Sequence, residues 1–239
     1  MLPDPDLRQR VADPVTRRAA RTLVVFPPAP MLRRLTPVLL LAAALAAPGC
    51  ANEQRSSPLA SGVVDTFDDA NTTAAIGNPW EAVGGLGGDG VTIAPDPGGY
   101  ANTPYGLLVT GYRSESATTS EVVGVRTSIA LSPRIADPNR ADVTADARGF
   151  TGLALAVKGT PGTYIVQIGS ALVTDFNFYN AYVQVGPEWT EFKIPFSDFK
   201  QESFGAAVPW TGDQLTHVAV FPILTGEIAF TLDQVRFYR

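Results

Sequence analysis

The clearest pattern of hydrophobic and polar positions lies in the last fifty residues. In W-T-E-F-K-I-P-F-S-D-F, which begins at Trp189, Phe192, Ile194 and Phe196 share one phase of a two-residue period. Glu191 and Lys193 take the other phase, as in a strand with one buried face. In I-A-F-T-L-D-Q-V-R-F-Y, Ile228, Phe230 and Leu232 keep one phase while Val235 and Phe237 keep the opposite one, so the alternation slips at Asp233-Gln234. A β-bulge inserts one residue and re-aims a side chain. The slip therefore predicts a bulge that turns Asp233 toward a site.

Similar runs predict strands at Val63 to Phe67, Tyr105 to Gly111, Glu121 to Leu131, Phe150 to Lys158, Tyr164 to Ile168, Ala181 to Val185, Leu215 to Ile223 and Ile228 to Tyr238. Gly77 to Gly99 reads as a long loop with one short strand near Val91-Ile93, and Ser132 to Gly149 as a polar surface loop. Helical periodicity is hard to find after residue 50. Strands at this spacing, with turn signals between them, predict an all-β fold, a two-sheet antiparallel β-sandwich of the jelly-roll kind. The faces opposite the apolar ones would pool Arg126, Lys158, Gln167, Tyr182 and Gln184 on one sheet surface. A ring and forked donors suit a sugar, although an ordinary solvent face has the same composition.

Ahead of the domain the pattern changes. Residues 1–30 are rich in Arg and Pro and lack apolar periodicity, which reads as a mis-called gene start or a disordered stretch. Met31 opens M-L-R-R-L-T-P-V-L-L-L-A-A-A-L-A-A-P-G-C, with two arginines, an apolar run and then small residues. This is the layout of a secretory signal over 31–49. Its end resembles a bacterial lipobox with Cys50 as the lipidated residue, which implies export and a lipid anchor in the cell envelope. Residues 50–61 then form a tether, and the jelly-roll domain occupies 62–239.

Charge sharpens the picture. The formal net charge of −5 comes from 18 basic and 23 acidic residues; leaving out the 7 and 3 in residues 1–50 gives 11 against 20, a net of −9. Such a surface repels nucleic acid and anionic headgroups, so the membrane is reached only through the lipid. One cysteine, Cys50, and one histidine, His217, exclude a disulfide and a Cys/His zinc site within one chain. His217 shares its phase with Ala219, Phe221 and Ile223 and reads as a packed core histidine. Trp80 and Trp210 read as core residues. Asp65, Asp68 and Asp69 crowd the end of the first strand, where local spacing suggests a solvated acidic turn or a screened cation site.

Taken in order, V-V-D-T-F-D-D-A-N, G-N-P-W, F-T-G-L-A-L-A-V-K-G, W-T-E-F-K-I-P-F-S-D-F, V-P-W-T-G-D-Q-L-T-H-V-A-V and F-T-L-D-Q-V-R-F-Y resemble the galactose-binding-like jelly rolls. Within these, the set is most similar to family-11 carbohydrate-binding modules and the complex I intermediate-associated protein family. The resemblance implies that the two ends of the domain meet at a structural calcium held by Asp68, Asp69 and Asp233. Ala70 stands where the family usually has Gly, and Gln234 where it often has a second Asp. It also implies polysaccharide binding on the concave sheet, with Tyr182 and Arg126 at matching positions. The expected function is non-catalytic carbohydrate binding, with a protein-interaction module as the alternative. A glycoside-active enzyme is the third reading. It needs two carboxylates ~5–10 Å apart, and the legible strand faces bring no acidic pair together. Asp175, beside Phe176 and Tyr179, reads as a loop acid.

Overall fold

The computed structural model describes residues 56–59, 61–84, 88–114, 124–131 and 144–239. The start at 1–30, the leader at 31–49, Cys50, the first residues of the Glu121 strand and most of the Ser132 loop lie outside the described residues.

In chain order the strands are β1 (Ser56–Pro58), β2 (Val63–Asp65), β3 (Trp80–Gly84), β4 (Gly88–Pro97), β5 (Tyr105–Arg113), β6 (Val125–Ala130) and β7 (Thr144–Asp146). They continue with β8 (Gly152–Gly159), β9 (Gly162–Ser170), β10 (Tyr179–Val185), β11 (Thr190–Pro195), β12 (Leu215–Pro222) and β13 (Gly226–Tyr238). Two sheets form. In the first, β12 lies between β6 and β9, with β3 beyond β6, β10 beyond β9, and β7 and β1 at one end. The second runs β11-β8-β13-β5-β4, with β2 on the end of β13. Apart from the parallel pair β1 and β7, all the pairings are antiparallel. The expected all-β two-sheet sandwich is what the chain adopts.

The predicted alternation fills the space between the sheets. Leu153, Leu155 and Val157 of β8, Val166 and Ile168 of β9, Val218 and Val220 of β12, and Phe230 and Leu232 of β13 are all buried in one cluster. Each such side chain contributes about 1.5–3 kcal/mol on burial. Tyr164 stands edge-on to Phe230, 5.4 Å between ring centroids, and its hydroxyl donates to the Thr160 carbonyl at 2.9 Å. It joins the sheets without leaving a polar atom stranded.

The slip in the last strand is a bulge. The pairing of β13 with β8 shifts register between Asp233 and Arg236, and Gln234 has φ of 51°. Ile228, Phe230 and Leu232 before it and Val235 and Phe237 after it are all buried. Beyond the bulge, β2 pairs with β13. The strand that begins at Val63 and the closing strand are therefore neighbours, as the resemblance implied.

Three segments differ from the sequence reading. The stretch Gly77 to Gly99 holds two strands, β3 and the ten-residue β4, and β4 is an edge strand that carries Pro95 and Pro97. Proline and glycine lower the strand signal of a sequence, but an edge strand tolerates them because one row of its N–H groups needs no partner. The tether contributes β1, and the Ser132 loop contributes β7, which pairs with it. Both are three residues long, too short for alternation to register.

Candidate functional site

On the outer face of the first sheet, strand register places side chains in rows. Val83 lies opposite Arg126, Phe221 opposite Ile165, and Ile165 opposite Tyr182. The Arg126 guanidinium sits 5.6 Å from the Phe221 ring centroid and closes that row. The next row runs Glu81, Ser128, Ala219, Gln167 and Asn180. Ile165 and Phe221 of the first row and Ala219 of the second form a small buried apolar cluster separate from the main core.

Polar groups ring this cluster. Gln167 donates from Nε2 to Asn180 Oδ1 at 2.9 Å, and Asn180 donates from Nδ2 to Glu202 Oε1 at 3.1 Å. Tyr182, 55% exposed, donates its hydroxyl to the same Glu202 Oε1 at 2.5 Å. Partial burial, then this bond and the Glu202 charge, push the Tyr182 phenol up to about 12. Its ring is open to solvent while its hydroxyl is held. Gln184 donates to Thr163 Oγ1 at 2.8 Å. Arg126 Nε is buried with no hydrogen-bond partner among the described residues, and burial lowers the pKa of its guanidinium.

Glu202 sits in a loop locked to the end of β10. Asn177 donates to the carbonyls of Glu202 (3.0 Å) and Phe204 and accepts from Glu202 N–H at 2.7 Å. Asp175 accepts from the N–H groups of Ala206 (2.7 Å) and Asn177 (3.1 Å), which hold its carboxyl below the ordinary value. Asp175 is thus the expected loop acid, and it works as a clasp. The clasp holds two phenylalanines outward, Phe176 at 79% exposure and Phe204 at 53%. Glu202, Asn177 and Phe204 escaped the sequence reading because they lie in loops without periodicity. The only signal was Phe176 in a polar stretch.

His217 belongs to this face and not to the inter-sheet core, a correction to the expected core histidine. Its phase partners Ala219 and Phe221 point outward because β12 shifts register between Leu215 and Val218. It is packed all the same, with Phe178 edge-on at 4.8 Å, Thr216 Oγ1 at 3.0 Å and Gln167 Oε1 at 3.4 Å. Burial, then the nearby Arg126 charge, bring its pKa down to about 4. Trp80 is buried, and Trp210 packs between Phe196 and Tyr179 at the edge of the core.

Of the five residues expected on one surface, Arg126, Gln167, Tyr182 and Gln184 share this face, and Lys158 does not. Lys158 is on β8 of the second sheet, with its ammonium 4.8 Å from the Trp189 ring centroid and 4.0 Å from Asp96. A two-residue period separates inward from outward but does not say which sheet a strand joins.

At the junction of the chain ends, Asp233 is fully buried. Its Oδ2 accepts from Tyr100 N–H at 2.7 Å and the Thr103 hydroxyl at 2.6 Å, and its Oδ1 from Gln234 N–H at 2.6 Å. Desolvation raises its pKa, these three bonds lower it, and the charge of Asp68 raises it further. Asp65, also buried, accepts from Trp80 Nε1 at 2.8 Å and Phe67 N–H at 3.0 Å; desolvation and then Asp69 raise its pKa against those bonds. Asp68 and Asp69 are exposed on the turn after β2. Among the described residues no three His, Cys, Asp or Glu side chains converge on one point. Cys50 lies outside the described residues.

Fold and site together define a jelly-roll sandwich with an aromatic, polar outer face on one sheet. The family model described as Complex I intermediate-associated protein 30 (CIA30) matches residues 109–226, from β5 to the start of β13. A family 11 carbohydrate-binding module of the cellulosomal cellulase Lic26A-Cel5E of Clostridium thermocellum has a similar structure. Its TM-score is 0.51 at 14% identity, over 76% of this chain and 96% of that one. Also similar are a family 30 module of Clostridium thermocellum (TM-score 0.44, 14% identity, 66% and 89%) and the CBM22-1 xylan-binding domain of Paenibacillus barcinonensis Xyn10C (0.42, 15%, 74% and 94%). No curated protein matches the chain. The chain thus has a jelly-roll β-sandwich fold, similar to the family 11 module and matched over β5 to β13 by the CIA30 family model.

Proposed function

We propose that the outer face of the first sheet binds a polysaccharide or oligosaccharide and does not turn it over. The observation that carries this reading is Tyr182, whose ring is exposed while Glu202 holds its hydroxyl and Asn180 and Gln167 extend the polar row beside it. An aromatic face takes the C–H side of a sugar, and fixed amides and carboxylates take its hydroxyls. The name carbohydrate-binding module, carried by the structurally similar family 11 domain, supports the same reading. Affinity electrophoresis through gels containing soluble polysaccharides tests it: at least one should retard the chain, and Tyr182→Ala should weaken the retardation about tenfold or more. No retardation by any glycan overturns the reading, and so does incubation that yields new reducing ends.

The CIA30 match favours a second reading, a polypeptide bound on the same face. Capture of one defined protein, uncompeted by sugars and abolished by Tyr182→Ala, would replace the first reading with this one.

A calcium ion at the corner where the chain ends meet is a further part of the proposal. Asp68 and Asp233 supply hard oxygens and repel one another, which a cation between them relieves. Asp69 follows Asp68 on the same exposed turn, and its charge acts on Asp65. Calcium takes six to eight oxygens, so backbone carbonyls of the turn would complete the set. Calcium should raise the melting temperature of the metal-stripped chain and Asp68→Asn should cancel the rise; an unchanged melting temperature removes the ion from the account. Export and lipid attachment at Cys50 are proposed from the leader alone. Loss of labelled fatty acid from a Cys50→Ala chain checks them, and equal labelling of both chains counts against them.

A further inference from the structure

The second sheet has an outer face too, and its upper end is built from small residues. Register places Thr110 of β5 between Thr92 of β4 and Ala229 of β13, and one pair further along it sets Tyr112 directly opposite Glu227. An open cleft of about 690 Å³ lies there, lined by Gly90, Thr110, Tyr112, Thr160, Glu227 and Ala229. That volume falls in the range of small-molecule sites, about 300–1,000 Å³.

The lining has a definite chemistry. Tyr112 is 45% exposed although it belongs to a paired strand. Register flanks it with Glu227 on β13 and Asp89 on β4, while the floor further in is Gly90, Thr110 and Ala229, so nearly half of the residue stands open to solvent over small side chains. Glu227 has no hydrogen-bond or ion-pair partner among the described residues and is exposed, which leaves its carboxylate free to accept from a ligand. The floor hydroxyls are fixed: Thr92 and Thr110 share a bond of 2.8 Å, while Thr160 Oγ1 accepts from Ala229 N–H at 3.1 Å and donates to the Ala229 carbonyl at 3.2 Å. An open ring, a free acceptor directly across from it and a rigid floor suit a neutral polyol. The Glu227 charge excludes an anion, and the exposed ring wants a ligand with a C–H face.

We propose that this cleft is a second saccharide site, on the sheet opposite the Tyr182 face and independent of it. Its ligand class rests on the carbohydrate reading given above. The two sites are separated by calorimetric titration of the full chain with tetrasaccharides of β-1,4-glucan, mixed-linked β-1,3-1,4-glucan and β-1,4-xylan. The expected result is two equivalents bound for at least one saccharide. Tyr112→Ala and Glu227→Gln should each remove one equivalent and leave the other at unchanged affinity, and Tyr182→Ala should remove the other. Thermal midpoints within a degree or two of wild type show that the variants fold. A single equivalent, kept by Tyr112→Ala and Glu227→Gln and lost by Tyr182→Ala, overturns the second site and leaves the first. Binding kept by Tyr182→Ala and lost by Tyr112→Ala does the reverse. No binding of any of the three saccharides overturns the second site; the first falls only if the gels also show no retardation by any glycan.

Discussion

The same bond, a hydroxyl donating to a carboxylate, occurs in two regions of this molecule with opposite consequences. At the bulge, Thr103 donates to the buried Asp233 at 2.6 Å, and the Tyr100 and Gln234 N–H groups donate to the same carboxylate. On the outer face of the first sheet, Tyr182 donates to Glu202 at 2.5 Å with its ring in solvent. The pair at Asp233 fixes how the chain ends meet, because the carboxylate is buried and its loss leaves partly buried donors without their acceptor. The exposed pair fixes little of the fold and holds a ring ready for a ligand. Burial, and not the chemistry of the bond, decides between holding the fold and binding.

That contrast is sharpest in variants. Asp233→Ala leaves three partly buried donors without their acceptor and opens a cavity where the buried carboxylate stood, and should lower stability by about 4 kcal/mol; chemical denaturation measures it, and a loss under about 1 kcal/mol would make the corner dispensable. Next comes pH. His217 titrates at about 4 in the folded chain against 6.5 unfolded, so its contribution is complete above pH 6.5 and is lost as pH falls from there toward 4. The loss amounts to roughly 3 kcal/mol. Asp65 and Asp233, raised from 3.8, act in the opposite direction: they stabilise below that value, and the gain fades as pH rises through their folded pKa values. His217→Gln should therefore flatten the dependence between pH 6.5 and 5, and a slope equal to wild type would rule His217 out as its source.

Smaller again is Gly99→Ala. An added Cβ would lie 2.2 Å from Thr103 Oγ1, 2.4 Å from the Tyr105 carbonyl and 2.5 Å from Asp233 Oδ2. Backbone and a held carboxylate cannot all give way, so a loss of about 2 kcal/mol is expected in the same denaturation experiment. Tyr182→Ala should change stability least, by under about 0.5 kcal/mol, while taking most of the glycan affinity. Equal loss of stability and binding would dissolve the distinction between the two regions.

Much of the first region was legible in the sequence and much of the second was not, for physical reasons. The bulge at Asp233-Gln234 shows because a one-residue slip reverses the phase of every residue after it. The pairing of β2 with β13 followed from the family motifs at both ends of the domain. Lys158 was misplaced because alternation carries no information on sheet membership, and His217 because a register shift in β12 moved its phase outward. The strand β4 hid behind its prolines. Glu202 and Asn177 are held by one another across 25 residues of chain, a contact that no local pattern announces.

The most direct test of the central claim is amide chemical-shift mapping of the labelled chain during titration with a glycan that retards it in a gel. The account predicts shifts at the amides of Ile165 to Gln167, Asn180 to Gln184 and Glu202 to Phe204, with Tyr100, Thr103 and Gln234 unmoved. Shifts centred on the Asp233 corner, with the Tyr182 strand silent, would contradict it.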